Sequence, residues 1–151
     1  MAEERVDTVR VEEITSVDDE LLDALNRLLP QVSSSAPALQ GEEVGEMIDS
    51  PASILFVARE DDGDQVVGSL TLAVFRIPTG LRAWIEDVVV DSAVRGRGVG
   101  SALVRAAIDR AGQMGCRTVD LTSRPSREDA NRLYQDLGFV RRETNVYRYS
   151  I

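Results

Sequence analysis

Arg95 and Arg97 alternate with Gly96, Gly98 and Gly100 in a short stretch between an apolar run, Val88–Val90, and a helical pattern that begins at Val99. The chemistry this spacing supports is anion binding. The first N–H groups of a helix have no partner inside it, and the helix dipole places partial positive charge there. Glycines let an anion approach the backbone closely. They also allow the positive φ angles that aim several N–H groups at one point. Two guanidinium groups add charge, so the stretch suits a phosphate or diphosphate.

Three phosphate motifs compete for it. A P-loop needs G-x-x-x-x-G-K-[ST], and this loop has no lysine. The dinucleotide fingerprint G-x-G-x-x-G fails in both frames, because its last glycine would fall on Ser101 or Leu103. Asp120, twenty residues after Gly100, imitates the ribose-binding acid of that fingerprint and is a decoy. The third motif, R-x-x-G-x-G, fits Arg95 to Gly100.

The bulk properties bound the rest. A chain of 151 residues reads as one domain, 1–151, and is long enough to hold a core without staples. A net charge of −9 argues against a general nucleic-acid binder, which needs a basic face, and suits a cationic small-molecule partner. The single cysteine, Cys116, permits no intramolecular disulfide and reads as packing. The absence of histidine removes Ser–His and Cys–His nucleophiles and imidazole-dependent zinc sites, and no metal site is expected. The start, "MAEERVDTVRV", is unlike a secretory signal, and no apolar run reaches the roughly 18 residues of a membrane span. The expectation is a cytoplasmic protein with no membrane partner.

These residues need elements to position them. "RVDTVRVEEI" alternates as a strand. A helix follows to Pro30, with Ser16 as a candidate cap and a stripe of Leu21, Leu22, Leu25, Leu28 and Leu29. The Gln31–Gln40 segment reads as a loop and Glu42–Asp49 as a short helix. "SILFVARE" and "QVVGSLTLAVFRIP" form a hairpin about the Asp-Gly turn in "EDDGDQ", and "LRAWIEDVVVD" is a third strand. The helix from Val99 turns Val99, Leu103, Ala106, Ala107 and Ile108 inward and stops at Gly115. "RTVDLTS" is a strand, "REDANRLYQDLG" a helix ended by Gly138, and Phe139 onward alternates as one or two closing strands. The class is α/β, with a right-handed β-α-β crossover after an antiparallel region.

On "IEDVVVDSAVRGRGVGSALV" and "ANRLYQDLGF", in this order and separation, the chain resembles the GNAT N-acetyltransferases, which bind acetyl-CoA. The likeness spans about Ser53 to Val140. It implies a mixed, mostly antiparallel sheet of six to seven strands, about four helices and a central β-α-β unit that binds acetyl-CoA. In such proteins the strand before the loop splays from its neighbour and pairs with the pantetheine arm. Carried over, the backbone of Val88, Val89 and Val90 would hold the arm, with the Val88 N–H facing the thioester oxygen. The diphosphate would rest on the amides of Arg95, Gly96, Arg97, Gly98, Val99, Gly100 and Ser101.

The resemblance also supplies the catalytic candidates. An amine that arrives as ammonium must lose a proton before it attacks. Strand alternation puts Trp84, Glu86, Val88 and Val90 on one face, which makes Glu86 the candidate base; its plainer role is to bind a cationic substrate. Asp87 faces the other way unless a bulge shifts the register. Tyr134 matches the family tyrosine beside the cofactor sulfur, and its alternative is a core tyrosine. One departure stands out. Arg127 occupies the position, seven residues before Tyr134, where the family often has Asn, while Asn131 offers a substitute contact one turn on.

The function implied is transfer of an acetyl group from acetyl-CoA to a primary amine of a small molecule, by direct attack in a ternary complex. A peptide N-terminus is an open alternative acceptor, and a non-catalytic acyl-CoA sensor on the same fold is the alternative class. Pairing into a homodimer is compatible with the exposed-looking tyrosines near the end of the chain.

Overall fold

Alternating and continuous apolar runs build one open mixed sheet, and the amphipathic segments cover its two faces. In the structure, a computed structural model that describes residues 4–6 and 9–151, the strands are β1 (Glu4–Val6), β2 (Val9–Glu13), β3 (Ser53–Glu60), β4 (Val66–Ile77), β5 (Gly80–Val90) and β6 (Thr118–Asp120). They lie in that order across the sheet. Every neighbouring pair is antiparallel except β5 and β6, which are parallel. The four helices are α1 (Asp19–Leu28), α2 (Gly41–Asp49), α3 (Val99–Gln113) and α4 (Glu128–Asp136). The parallel pair joined through α3 is the expected β-α-β crossover. Residues 7 and 8 of the first alternating segment lie outside the described residues.

Two cores result, one on each face. Under α3 lie Val9, Val11, Phe56, Leu70, Leu72, Ala83 and Ile85, packed against Val99, Ala102, Leu103, Val104, Ala107 and Ala111. Under α1 and α2 lie Leu55, Val57, Val66 and Val89, packed against Leu21, Leu25, Leu28 and Val44. Burial of side chains this size contributes about 1.5–3 kcal/mol each. The inward face of α3 includes Ala102, Val104 and Ala111, while Ala106 and Ile108 are only half-buried. Alanine on this face brings the helix close to the sheet. Gly68 completes the approach, since a Cβ there would stand 3.0 Å from Leu103 Cδ1 and 3.1 Å from the Val89 carbonyl.

Local signals explain the helix ends. Asp18, rather than Ser16, caps α1: its carboxylate accepts the Leu21 N–H at 2.7 Å. At the start of α2 the Glu43 carboxylate accepts the Gln40 N–H at 2.9 Å. Asn26 of α1 grips the loop between them twice, donating to the Leu39 carbonyl at 3.1 Å and accepting the Leu39 N–H at 2.8 Å. The helix α3 ends with Gly115 at φ 86°. The Cys116 N–H reaches back to the Ala111 carbonyl at 3.0 Å, so the left-handed glycine satisfies the last turn. Cys116 itself is half-buried against the α3 core.

The count of six to seven strands is not confirmed. Five strands, β2 to β6, make the body of the sheet, and the three-residue β1 extends its β2 edge. The closing strands do not form. Every residue from Val140 to Ile151 is exposed and lies in no strand. Alternation alone does not make a strand, because the backbone needs a neighbouring edge to pair with.

Candidate active site

The register of β5 changes in its middle. Thr71 of β4 pairs with Glu86 and Ser69 with Val89, so Leu70 stands opposite two residues, Asp87 and Val88. Asp87 takes up the extra residue at φ 49°, a left-handed conformation that aspartate tolerates better than most side chains. The faces switch there. Ala83 and Ile85 belong to the core under α3, whereas Val89 belongs to the core under α1, and Val88 and Val90 pack on the α3 side. Simple alternation therefore fails at this point. Glu86 shares its face with Trp84 but not with Val88 and Val90.

Just before the bulge β5 also leaves β6. Their parallel pairing runs only from Arg82↔Thr118 to Trp84↔Asp120. From Ile85 to Val90 the side of β5 toward β6 has no partner strand among the described residues. The gap opens a cavity of about 170 Å³, lined by Ile85, Glu86, Asp87 and Val88 of β5, by Leu121 and Thr122 beyond β6, and by Val32, Arg127 and Tyr134. Because the strands part, residues from both faces of the sheet reach one space. Val32 comes from the α1 side and Tyr134 from the α3 side.

At the end of the gap stands the N-terminus of α3. Gly98 occupies the cap position at φ 80°, and no side chain caps the helix. Gly96 is left-handed too, at φ 81°. A Cβ at either glycine would meet no atom within 4 Å, so their backbone is open to a close approach. The first backbone bond into α3 runs from the Ala102 N–H to the Gly98 carbonyl at 3.0 Å. The amides of Val99, Gly100 and Ser101 donate to no carbonyl of another described residue. Gly100 has a different reason: a Cβ there would press on Leu133 at 3.2 Å, so it lets α4 pack against the start of α3. Arg97 is exposed, and the Arg95 Nε donates to the Val90 carbonyl at 3.4 Å. These groups fit a diphosphate: free amides, a dipole end, two guanidinium groups and no obstructing side chain.

The connection from β5 to this loop is braced by α1. The Asp91 N–H donates to the Val67 carbonyl at 2.8 Å, and its carboxylate accepts the Ala93 N–H at 3.1 Å and an Arg27 N–H at 2.7 Å. Arg27 also donates to the Val66 carbonyl at 2.6 Å. The Ala93 amide first, and then Arg27, hold the Asp91 carboxyl below its ordinary range against the opposing effect of burial.

The helix α4 supplies Tyr134, which is buried, with its ring on the α3 core. Burial pushes its phenol above the ordinary tyrosine value, against the opposing pull of the Arg127 charge. Asn131 is otherwise engaged: its side-chain amide donates to the Arg124 carbonyl at 3.0 Å and closes the loop before α4. It does not line the cavity. Arg127 does, at the N-cap of α4.

The structure thus brings Glu86, Val88 and Tyr134 to one cavity and sets the Arg95–Ser101 amides at the start of α3. Val89 turns its side chain into the α1 core, leaving only its backbone for a ligand, and Val90 lies beside Gly100. Sequence reasoning missed Ile85, Asp87, Leu121 and Thr122 as wall residues, because all four required the splay to be seen.

Comparison with known proteins agrees with this geometry. Residues 19–139 match the acetyltransferase (GNAT) family model. A 65-residue stretch is 37% identical to glucosamine 6-phosphate N-acetyltransferase 1 of Oryza sativa subsp. japonica, covering 43% of this chain and 38% of that relative. The chain therefore spans less than half the length of the curated relative it matches. A putative acetyltransferase from Agrobacterium tumefaciens superposes with a TM-score of 0.78 at 29% identity, over 92% of this chain and 99% of that one. An aminoglycoside acetyltransferase from an uncultured soil metagenomic sample shares the fold, with a TM-score of 0.83 at 21% identity over 95% of each chain. With the loop, the parted strands and the α4 tyrosine all in place, and most of its length matched, the chain belongs to the GNAT acetyltransferase family.

Proposed function

We propose that this protein transfers an acetyl group from acetyl-CoA to the primary amine of a small molecule, by direct attack with both substrates bound. The observation that carries the reading is the gap between β5 and β6. It leaves β5 a free strand edge and opens a cavity lined by both Glu86 and Tyr134, and the strand leads on to the uncapped N-terminus of α3. When bound, acetyl-CoA supplies an acetyl group activated as a thioester. The amides of Arg95 to Ser101 hold its diphosphate, flanked by the Arg95 and Arg97 guanidinium groups. The free backbone edge of Val88–Val90 pairs with its pantetheine amides, and the Val88 N–H donates to the carbonyl oxygen on which negative charge develops.

Glu86 accepts the proton that an ammonium acceptor must shed before its nitrogen becomes a nucleophile. Tyr134 keeps its phenolic proton through neutral pH, because burial opposes the phenolate, and would give it to the thiolate released as the amine's C–N bond forms and the thioester's C–S bond breaks. Glu86 and Asp87 set two carboxylates on the wall against one arginine, Arg127, which favours a cationic acceptor. A volume of about 170 Å³ is below the roughly 300 Å³ of a drug-sized site. It fits the reacting end of an amine, with the remainder held outside. Glucosamine 6-phosphate and aminoglycosides, the acceptors named for two of the similar proteins, both present a primary amine, and of the two the aminoglycosides are the cations.

The test is a panel of amino sugars, aminoglycosides, polyamines and short peptides, assayed for release of free thiol from acetyl-CoA. The expected outcome is amine-dependent release with a subset of the small amines. Release only with peptides would move the acceptor to a polypeptide N-terminus. Tight coenzyme A binding with no release for any amine would replace the enzyme with a sensor. No calorimetric binding of coenzyme A to the folded chain would end both readings.

A further inference from the structure

A second cavity, of about 230 Å³, lies at the other end of the β5–β6 pairing from the splay. Thr79, Gly80, Leu81, Arg82, Arg117 and Thr118 line it, and it shares no residue with the cavity between β5 and α4. Residues 78 and 79 turn the chain from β4 into β5 here. From Arg82 along β5 to Glu86 is about 13 Å of strand.

Two arginines from separate stretches come to one face of the sheet there. Leu81 and Ala83 pack on the α3 side, so alternation puts Gly80 and Arg82 on the other face. Thr118 is the register partner of Arg82 and shares that face, since Val119 packs on the α3 side. Arg117 is tied to β5 by its own N–H, which donates to the Leu81 carbonyl at 3.2 Å. Its stem runs across Gly80, where a Cβ would stand 3.2 Å from Arg117 Cδ and 3.8 Å from Cγ. The missing side chain at Gly80 thus seats the arginine, and its guanidinium donates one N–H to the Thr79 carbonyl at 3.3 Å.

These two cations have no acid to answer them. The chain has 26 acidic residues against 17 basic ones, yet no carboxylate lines the cavity. Arg27, Arg59 and Arg110 each hold a carboxylate, whereas neither Arg82 nor Arg117 has an ion pair among the described residues. Asp120, on the same face of β6, stands two residues beyond Thr118 and outside the lining. Phe75, the register partner of Arg82, is 42% exposed, which leaves this end of the face bare. A guanidinium presents five donors in a fixed fork, and Arg117 spends one of them within the chain. Two such forks beside a threonine hydroxyl match the oxygens of a doubly charged anion.

We infer that this cavity binds a phosphate group, bridged between Arg82 of β5 and Arg117 at the entry to β6. At about 30 Å³ per water in the liquid, 230 Å³ holds a phosphate and part of a molecule that bears it. β5 and β6 pair only from Arg82↔Thr118 to Trp84↔Asp120 before they part. A phosphate on both arginines ties the strands at the closed end of that short ladder and so stabilises the arrangement that opens the splay. The place is separate from the amides at the start of α3, so its test stands whether or not coenzyme A binds.

Thermal melting of the full chain, with phosphate replacing chloride at constant ionic strength, is the experiment. The expected outcome is a saturable rise in melting temperature for the wild type. The double variant Arg82→Gln, Arg117→Gln should need roughly 10–100-fold more phosphate for the same rise, the loss of bonds to charged groups, with unchanged circular dichroism. That variant keeps the Arg95–Ser101 amides, so phosphate bound there acts equally on both proteins. Should the double variant lose its fold, Arg82→Gln alone, at an exposed position, takes its place. Phenyl phosphate run beside inorganic phosphate separates two sources of the group: a stronger rise with the ester assigns the site to a phosphorylated small molecule, an equal one to the free ion. No rise in the wild type beyond matched chloride would overturn the proposal. So would the same rise in wild type and variant, which would put the phosphate on the amides of α3.

Discussion

Tyr134 and Phe139 meet edge to face, with ring centroids 5.8 Å apart, and the Phe139 N–H donates to the Tyr134 carbonyl at 2.9 Å. Between them Gly138 stands at φ 100° and Leu137 caps α4. The Tyr-x-x-x-Gly-Phe spacing is thus the closure of a helix: a 6→1 bond across a left-handed glycine, with an apolar contact between its two ends. It fixes the last turn of α4 and with it the place of the phenol. Gly138→Ala should cost about 1–2 kcal/mol by thermal melting, from a side chain forced into the left-handed region. It should also lower turnover.

Replacing Tyr134 by Phe keeps that contact and removes only the hydroxyl. Turnover should fall about 10²-fold with coenzyme A affinity unchanged, the size of a lost general acid. Because burial holds the phenol above its ordinary value, it stays protonated across about pH 6–9. The ratio of wild-type to variant rates should be flat over that span. Equal rates would return Tyr134 to a packing role.

Glu86→Gln should lower turnover about 10–100-fold and flatten the rise of rate with pH, provided the carboxylate takes the proton. A higher KM with an unchanged pH profile would instead make Glu86 a binding group for a cationic amine. The measurement is initial rate against pH with the best acceptor.

Gly98→Ala and Gly96→Ala should each weaken coenzyme A binding about 10-fold by calorimetry. Both glycines stand near φ 80° in open space, so the added methyl costs backbone strain of about 1 kcal/mol and occupies the approach to the amides. Unaltered binding by both variants would move the diphosphate elsewhere.

Asp91 gives a stability test with a sign. Its folded carboxyl titrates below its unfolded value of 3.8, so its contribution is complete above that value and is lost as pH falls through the lower, folded one. Asp91→Ala should destabilise the chain by about 1–2 kcal/mol at neutral pH, through the lost bonds to Ala93 and Arg27. The difference between wild type and variant should shrink below pH 3.8. Urea melts at neutral and acid pH would show it.

Much of this arrangement is legible in the residues. The hairpin of β3 and β4 follows from apolar runs about an Asp-Gly turn, and α3 from glycine punctuation at both ends. Two features are hidden for physical reasons. The bulge at Asp87 leaves no mark in composition, since it arises from pairing with β4, and one extra residue inverts every side chain after it. The closing segment reads as strand because its alternation is real, but a strand also needs an edge, and periodicity does not say whose. The Arg127 that replaces a familiar asparagine reads as a loss in one dimension. In three it is a cation on the wall of the cavity.

The kink in β5 divides the labour of one strand. On the proposed reading, Glu86 before the kink faces the incoming amine and the backbone after it serves the nucleotide-bearing half. Trp84 shares the face of Glu86, outside the core under α3 that Ile85 shares with Val88, Val90 and the start of α3. Acceptor preference is therefore best re-engineered at Trp84, so long as the inserted residue at 87 is kept.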